Sequence, residues 1–321
     1  MDNPISFPRL GFTVNPSRVA FSIFGLDIYW YGVIIATGFA LAVIYALYRI
    51  RQEGIDEDKF FDVLIITTPA ALICTRLYYV IFELDQYHSL WDVLDVRDGG
   101  LAIYGGIIGA FVVGTLVIRW KKLPLFKIFD IAGLSFMIGQ CIGRWGNFFN
   151  REAHGGPTDL PWGMEVNTPE GRMTVHPTFF YESVWNLIGF LLINRYYKRK
   201  KFDGELFLMY VAWYGLGRFF IEGMRTDSLY FFGTGLRISQ VLAGLSCIAA
   251  VIMIAFFRHR LKKMPVSGVS DQDISPEELA DRMEVIDSQT ELVLDEDEDV
   301  RKAEEPKQTE NGHESSGQDI S

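Results

Sequence analysis

The chain has 321 residues, of which 49% are hydrophobic, and its formal net charge is −10. Because about the last sixty positions are polar and acidic, the rest of the chain is richer still in apolar side chains, as is typical of membrane proteins. The net negative charge therefore says little about the apolar part of the chain before these positions. The three cysteines lie in separate apolar segments without a CxxC pair, which argues against a disulfide framework or a metal site.

Seven apolar segments, each close to the roughly twenty residues that cross a bilayer core, predict transmembrane helices. In chain order they are residues 26–49, 60–83, 101–120, 128–149, 177–197, 205–224 and 237–257. Since backbone polar groups in lipid must be satisfied within one segment, the predicted fold is all-α. We expect a membrane domain over residues 1–263 and a disordered acidic tail over residues 264–321.

Lysine and arginine concentrate after the first, third, fifth and seventh segments. The positive-inside rule therefore places these connections and the C-terminus in the cytoplasm, and the N-terminus outside. Residues 1–20 have no basic start and are interrupted by proline and glycine, so we expect no cleavable signal peptide. No internal repeat is evident, which disfavours a transporter built from duplicated halves.

A glycine-broken polar cluster at residues 143–156 follows the apolar part of the fourth segment. Ionisable groups near bilayer depth cost several kcal/mol unless they are paired or wetted, so they usually mark a site. Arg144 and Asn147 would lie at the outer end of the fourth helix. An arginine at such a position, facing a glycine-rich loop, suits bidentate recognition of phosphate.

Other segments offer polar or aromatic groups to the same outer depth. The sixth segment has a polar stripe that recurs every three or four residues, on one face of a helix. The stripe consists of Tyr214, Arg218, Glu222 and Arg225. Further groups are Tyr31, Arg76, Tyr104, His176, Tyr181 and Glu182 from the first, second, third and fifth segments. This convergence predicts one shared cavity in the outer half of the membrane.

Each of these features has a structural alternative. Tyr31 could belong to an interfacial aromatic belt, and the glycines around Tyr104 could only allow close helix approach. Arg218 and Glu222 could form a structural ion pair. An anion carrier would also explain membrane arginines, but it should offer polar groups to both sides, and the inner halves of the segments are nearly all apolar. A seven-helix receptor is disfavoured because the seventh segment has no lysine for a retinal Schiff base.

The cluster Gly-Arg-Trp-Gly-Asn-Phe-Phe-Asn-Arg-Glu at residues 143–152, with Gly155 after it, resembles the prolipoprotein diacylglyceryl transferase signature G-R-x-G-N-F-x-N-x-E plus glycine. The resemblance extends over residues 20–260. Further matching segments are Trp30-Tyr31-Gly32, Gly-Gly-Leu-Ala-Ile-Tyr-Gly-Gly at residues 99–106, His176-Pro177, Tyr181-Glu182, and Tyr214, Arg218, Glu222 and Arg225.

The resemblance implies transfer of the sn-1,2-diacylglyceryl group from phosphatidylglycerol to the lipobox cysteine of a preprolipoprotein, forming a thioether and releasing glycerol phosphate. It implies a multi-pass protein of the bacterial cytoplasmic membrane whose active site opens toward the outer leaflet. The expected partners are phosphatidylglycerol, lipobox signal peptides and membrane lipid. We expect no cofactor, no metal and no nucleic acid.

The resemblance also implies roles for individual residues. The catalytic candidates are Arg144, Arg218, Tyr104 and Glu222. The substrate-binding candidates are Tyr31, Arg76, Asn147, Asn150, Glu152, Gly155, His176, Tyr181, Glu182, Tyr214 and Arg225. Many family members have a histidine, often proposed as the base, where this chain has Tyr104. Tyrosine is a poorer base, so the proton acceptor is sought among Glu222, Glu152, His154 and the lipid phosphate.

Overall fold

The computed structural model describes residues 4–87, 92–93, 99–100, 102–168, 171–226 and 237–263. The acidic tail predicted at residues 264–321 lies outside the described residues. Within the described part of the chain, seven helices have 18 or more residues, and each overlaps one predicted segment. They are α1 (Trp30–Gln52), α2 (Glu57–Phe82), α3 (Ile103–Trp120), α4 (Leu125–Asn150), α5 (Thr178–Tyr196), α6 (Glu205–Met224) and α7 (Ile238–Lys263).

Five of these helices, α1 to α4 and α7, are long and apolar enough to cross a membrane. The helices α5 and α6 are not among them, although they have 19 and 20 residues. Their mean hydropathy is lowered by polar side chains such as Glu182, Arg218 and Glu222, which are among the residues that suggested a site. The protein is therefore mostly helical with five candidate spans, and the count of seven spans stays a prediction.

The all-α prediction needs correction, because the described residues also contain six short strands. They are β1 (Ile5–Phe7), β2 (Phe12–Val14), β3 (Val19–Ile23), β4 (Leu26–Tyr29), β5 (Met164–Thr168) and β6 (Gly171–Val175). Strands of three to five residues are invisible to an analysis based on apolar runs of twenty. The first predicted span began at residue 26, whereas residues 26–29 form β4 and the helix begins at Trp30.

The strands form two antiparallel sheets beside the ends of α1, α4 and α5. One sheet has the order β2-β1-β5-β6, and the other is the hairpin β3-β4. Ile5, Met164, Val166, Val175 and Phe179 form a buried cluster under the larger sheet. Strand β1 is thereby packed on the connection between α4 and α5, which contains the last signature residues, Glu152 and Gly155.

A reciprocal pair of tryptophans fixes α5 against α6. The rings of Trp185 and Trp213 stack with centroids 4.5 Å apart, and each indole Nε1 donates to the carbonyl of the other residue at 2.9 Å. Gly189 and Gly217 make room for this contact, since a Cβ at either position would lie 2.3 Å or 2.2 Å from an indole nitrogen. The pair sets the register between Glu182 on α5 and Arg218 on α6.

The first residues of α4 and α6 lie at helix ends that the sequence predicted to be nearly all apolar, yet both ends hold buried carboxylates. Asp130 and Glu205 have 0% exposure. Asp130 accepts hydrogen bonds from the backbone amides of Gly204 and Phe207 at 3.0 Å and pairs with Lys200 at 3.1 Å, while Glu205 pairs with Arg258. These paired carboxylates join helix ends away from the signature residues.

Candidate active site

Glu182 of α5 is the centre of an ion-pair cluster that joins three helices. Its side chain is 5% exposed. Arg144 of α4 contacts Glu182 Oε2 through Nε, and Arg218 Nη1 of α6 donates to Glu182 Oε1 at 2.7 Å. Arg218 Nη2 also pairs with Glu222 Oε2 at 2.7 Å, one turn further along α6. The two arginines predicted to be catalytic thus share one buried carboxylate.

Among the described residues of the cluster, three guanidinium groups surround two carboxylates, since Arg225 Nε lies 4.0 Å from Glu222 Oε2. Arg237 adds a guanidinium that donates to the backbone oxygen of Glu222. Buried charges must be paired, and fixed guanidinium groups can also hold an anion. The side chains of Arg144 and Arg218 are 22% and 17% exposed, so they are accessible from the surface.

The C-terminus of α4 folds back on itself through Glu152. The helix ends at Asn150, and the next residue, Arg151, has a left-handed conformation with φ 57°. The amide of Glu152 donates to the carbonyl of Asn147 at 3.1 Å. The side-chain amides of Asn147 and Asn150 both donate to Glu152 Oε1, at 3.0 Å and 3.2 Å. The signature therefore assembles a carboxylate held by two amides.

A cavity of about 640 Å³ lies between β4, the start of α1 and the end of α4. Its lining consists of Arg18, Asp27, Ile28, Tyr29, Tyr31, Gly32, Asn150 and Glu152. Tyr31, Asn150 and Glu152 were predicted site residues. Arg18 was missed, although its guanidinium donates to the carbonyl of Asn150 at 3.2 Å. Only recognition of the β3-β4 hairpin could have placed Arg18 beside the signature.

The ring of Tyr31 packs against a glycine of the signature, Gly146. A Cβ at Gly146 would lie 2.8 Å from the ring of Tyr31, so α1 and α4 could not approach this closely with a larger residue. The ring of Trp30 stacks on Phe149 with centroids 5.3 Å apart. These contacts place Tyr31 in the site region and against α4.

Gly155 lies where three parts of the chain meet. Its amide donates to the carbonyl of His176 at 2.9 Å, and the next amide, of Gly156, donates to the carbonyl of Met224 at 2.8 Å. A Cβ at Gly155 would lie 2.7 Å from the Cβ of His176. Gly155 therefore packs the loop after α4 against the start of α5 and the end of α6.

A second polar group lies at the start of α5. Tyr181 Oη accepts a hydrogen bond from Trp162 Nε1 at 2.8 Å and lies 3.2 Å from His176 Nδ1. His154 Nδ1 is 3.2 Å from the carbonyl of Gly155. Because a carbonyl only accepts, this contact requires Nδ1 to donate, which leaves Nε2 of His154 as the basic nitrogen.

Three further predicted site residues also have their described contacts outside the ion-pair cluster. The guanidinium of Arg76 donates to the carbonyls of Asp92, Val93, Gly99 and Gly100 at 2.7–3.0 Å and lies over the ring of Tyr87. Tyr104 Oη is 3.4 Å from Ser239 Oγ of α7. Tyr214 stacks on Tyr210 with centroids 6.0 Å apart.

The glycines beside Tyr104 pack α3 on α2. A Cβ at Gly105 would lie 2.3 Å from the carbonyl oxygen of Cys74, and one at Gly106 would lie 2.6 Å from Thr75 Oγ1. The close-approach alternative accounts for these two glycines. Among the described residues, no group of three or more histidine, cysteine, aspartate or glutamate side chains is arranged to hold a metal ion.

Comparison with known proteins identifies close relatives. A family model described as prolipoprotein diacylglyceryl transferase matches residues 18–256. The phosphatidylglycerol–prolipoprotein diacylglyceryl transferase of Finegoldia magna is 45% identical over 248 residues, covering 77% of this chain and 98% of the relative. The enzyme of the same name from Clostridioides difficile is 41% identical over 246 residues, covering 76% and 97%. That of Geobacillus kaustophilus is 43% identical over 261 residues, covering 78% and 95%.

Proposed function

The chain belongs to the prolipoprotein diacylglyceryl transferase family, and on that basis we propose that it transfers a diacylglyceryl group from phosphatidylglycerol to a prolipoprotein. The acceptor is the thiol of the lipobox cysteine, and the reaction is the first step of lipoprotein maturation. The observation that supports this function most strongly is the cluster in which Arg144 and Arg218 share Glu182.

The transfer is a displacement at carbon. The thiolate sulfur attacks C3 of the diacylglyceryl group, a carbon–sulfur bond forms, and the bond between C3 and the phosphate oxygen breaks. Glycerol phosphate leaves with the electron pair of that bond, and the thiol proton passes to a base. Negative charge thus moves from the sulfur to the phosphate during the reaction.

Arg144 and Arg218 stabilise the leaving phosphate in this proposal. Fixed donors aimed at developing charge contribute most where water is excluded, because their dipoles and charges need no reorganisation. The planar guanidinium can hold two phosphate oxygens at once, which a lysine ammonium cannot do. The two carboxylate oxygens of Glu182 orient Arg144 and Arg218, and the carboxylate of Glu222 orients Arg218 and Arg225.

The attacking thiol must lose its proton. A free cysteine with a pKa near 8.5 is mostly protonated at neutral pH, and both a positive field and a base favour the thiolate. Glu222 is held in ion pairs and Glu152 accepts two amide hydrogen bonds, whereas His154 presents Nε2 as a basic nitrogen. These contacts favour His154 as the proton acceptor over the two carboxylates.

The cavity beside Tyr31 receives the polar head group of phosphatidylglycerol in this account. Hydroxyl groups of a glycerol can donate to Glu152 and Asp27, which line the cavity. Asn147 and Asn150 position Glu152. Arg76 on α2, Tyr104 on α3 and Tyr214 on α6 contribute to the site from the neighbouring helices. Gly155, His176 and Tyr181 position the loop after α4 on the same side.

We further propose a topology of seven spans in the bacterial cell membrane, with the site open to the outer leaflet. The candidate spans make this a multi-pass membrane protein. The orientation is supported by basic residues at or just after the C-terminal ends of α1, α3, α5 and α7, among them Arg51, Lys121, Lys200 and Lys262. Residues 1–263 then form the membrane enzyme, and residues 264–321 extend into the cytoplasm.

The test of the function is a reconstituted reaction. The purified protein, phosphatidylglycerol and a synthetic lipobox peptide should yield a thioether-linked diacylglyceryl peptide, identified by its mass and by its resistance to hydroxylamine. A peptide with serine in place of cysteine is the control and should remain unmodified. A correctly folded preparation that modifies neither peptide would contradict the proposed function.

A further inference from the structure

The β3-β4 hairpin has two faces of opposite character. The strands pair Phe21 with Ile28, Ser22 with Asp27 and Ile23 with Leu26. Because side chains alternate across a strand, Phe21, Ile23 and Leu26 lie on one face and Ser22 and Asp27 on the other. Ser22 Oγ donates to Asp27 Oδ1 at 2.5 Å, and Asp27 lines the cavity. Ile28 and Tyr29 line the cavity beside Asp27, so the second half of β4 forms a wall of the proposed substrate site.

The apolar face of the hairpin is exposed. Phe21, Ile23 and Leu26 are 49%, 48% and 71% exposed, and Phe24 at the tip is fully exposed. Four neighbouring large apolar side chains form a patch of the kind that marks an interaction surface. We use the name apolar hairpin face for Phe21, Ile23, Phe24 and Leu26.

Phe24, at the tip of the hairpin, is an unfavourable residue for this turn conformation. Phe24 has φ 50° and Gly25 has φ 81°, as in a two-residue hairpin turn with positive φ at both central positions. Asparagine, aspartate and glycine adopt that conformation readily, whereas a bulky residue there is uncommon and strained. A phenylalanine at this position indicates that its exposed ring serves a contact outside the hairpin.

The hairpin is attached directly to a candidate membrane span. Strand β4 ends at Tyr29 and α1 begins at Trp30, with no linker between them. The amide of Trp30 donates to the carbonyl of Arg18 at 2.9 Å, so the base of the hairpin is also fixed to the helix. Strands of this length reach about 15 Å. The tip therefore stays close to the end of the span.

We propose that the apolar hairpin face inserts into the outer leaflet, so that the hairpin separates acyl chains on one side from the polar cavity on the other. The proposal rests on the membrane orientation given under the proposed function. It commits to lipid as the occupant because the hairpin leads directly into α1, a candidate membrane span whose exposed apolar side chains include Ile35, Phe39 and Ile44. Phosphatidylglycerol could then place its head group behind the hairpin while its chains remain in the leaflet.

Site-directed labelling in lipid vesicles tests the insertion without requiring any turnover. The three native cysteines are replaced by alanine, and an environment-sensitive fluorophore is attached to Phe24→Cys. Asp159→Cys is the aqueous control, since that side chain is fully exposed, and Ile44→Cys on α1 is the lipid control. Lipid-borne nitroxides and aqueous iodide serve as the two quenchers.

The probe at position 24 should be quenched by lipid nitroxides about as strongly as the probe at 44, and iodide should quench it several-fold less than the probe at 159. A probe at 24 that behaves like the one at 159 would overturn the proposal. Protection from both quenchers would also overturn it, since a protein partner or a second copy would then cover the face.

A pair of substitutions connects insertion with catalysis. Phe24→Asn suits positive φ and should leave the hairpin folded, yet it removes the apolar tip. We expect a several-fold loss of transfer from vesicle phosphatidylglycerol, with little loss for a short-chain lipid in detergent, and rescue by Phe24→Leu. Equal losses in both assays would contradict insertion. Absence of transfer in the wild-type protein, with the labelling result intact, would instead count against the proposed function.

Discussion

At the scale of single residues, the geometry of the guanidinium groups is the property on which the proposed chemistry depends. We predict that Arg144→Lys and Arg218→Lys each lower kcat/KM by about 100-fold or more, the size of effect seen when a donor to a developing oxyanion is removed. Lysine keeps the charge but cannot bridge a carboxylate and a phosphate with a planar fork. Steady-state transfer kinetics on the purified variants provide the measurement.

A matched control for these substitutions is Arg172→Lys. Arg172 lies on β6 and pairs with Glu165 at 3.1 Å, but half of its side chain is exposed. A surface ion pair of this kind contributes little, so this variant should keep wild-type kinetics. Near-normal turnover by Arg144→Lys or Arg218→Lys would remove the phosphate-binding role of that residue.

Tyr104 is the position where the chain departs from the family pattern. If its hydroxyl contributes a hydrogen bond and no proton transfer, Tyr104→His should be tolerated. Tyr104→Phe should lower kcat/KM by an amount equivalent to about 1–3 kcal/mol of transition-state stabilisation, because the partly buried partner of the hydroxyl is left unsatisfied. Ser239→Ala removes the described partner of Tyr104 and should have a similar effect.

The pH dependence separates the two roles of position 104. A histidine at position 104 that acts as general base would introduce its own apparent pKa of about 6–7 into the pH–rate profile, in addition to any histidine ionisation that the wild-type profile shows. Full activity of Tyr104→Phe at every pH would show that Tyr104 only packs α3 beside α7.

At the scale of helices, the α5–α6 contact determines whether Glu182 can reach Arg218. We predict that Gly217→Ala lowers stability by about 1–3 kcal/mol, because the added methyl overpacks against Trp185. It should also lower transfer by shifting α6 relative to Glu182. Gly139→Ala on α4 is the control, since a Cβ there meets nothing within 4 Å. Thermal unfolding in detergent measures the stability of each variant, and transfer kinetics measure its activity. Equal stability and equal activity of the two variants would contradict this role of the α5–α6 contact.

The helices were predictable because apolar runs of about twenty residues are a strong signal. Even α5 and α6 were located, although their polar residues reduce their hydropathy. The strands were missed because short segments between spans carry no comparable periodic signal, and Arg18 was missed with them. The grouping of Arg144, Arg218 and Glu222 followed from helix periodicity and the signature. The central position of Glu182 did not, since it depends on how α5 packs between α4 and α6.

At the scale of the whole molecule, the proposed orientation separates the site from the acidic tail. We predict that deleting residues 270–321 leaves transfer unchanged, because the tail would extend from the cytoplasmic end of α7 while the site opens to the other face. Transfer by membranes with matched amounts of full-length and shortened protein is the measurement. Loss of activity at normal membrane levels would show that the tail or the orientation has been misinterpreted.

The proposed reaction is a displacement at the diacylglyceryl carbon with glycerol phosphate as the leaving group. Phosphatidylglycerol labelled with oxygen-18 in the oxygen that bridges C3 and phosphorus distinguishes this bond cleavage from cleavage at phosphorus. We expect the purified protein to form one thioether for each glycerol phosphate released, with all of the label in the glycerol phosphate. Label retained on the diacylglyceryl product, or release of glycerol phosphate without thioether, would contradict it.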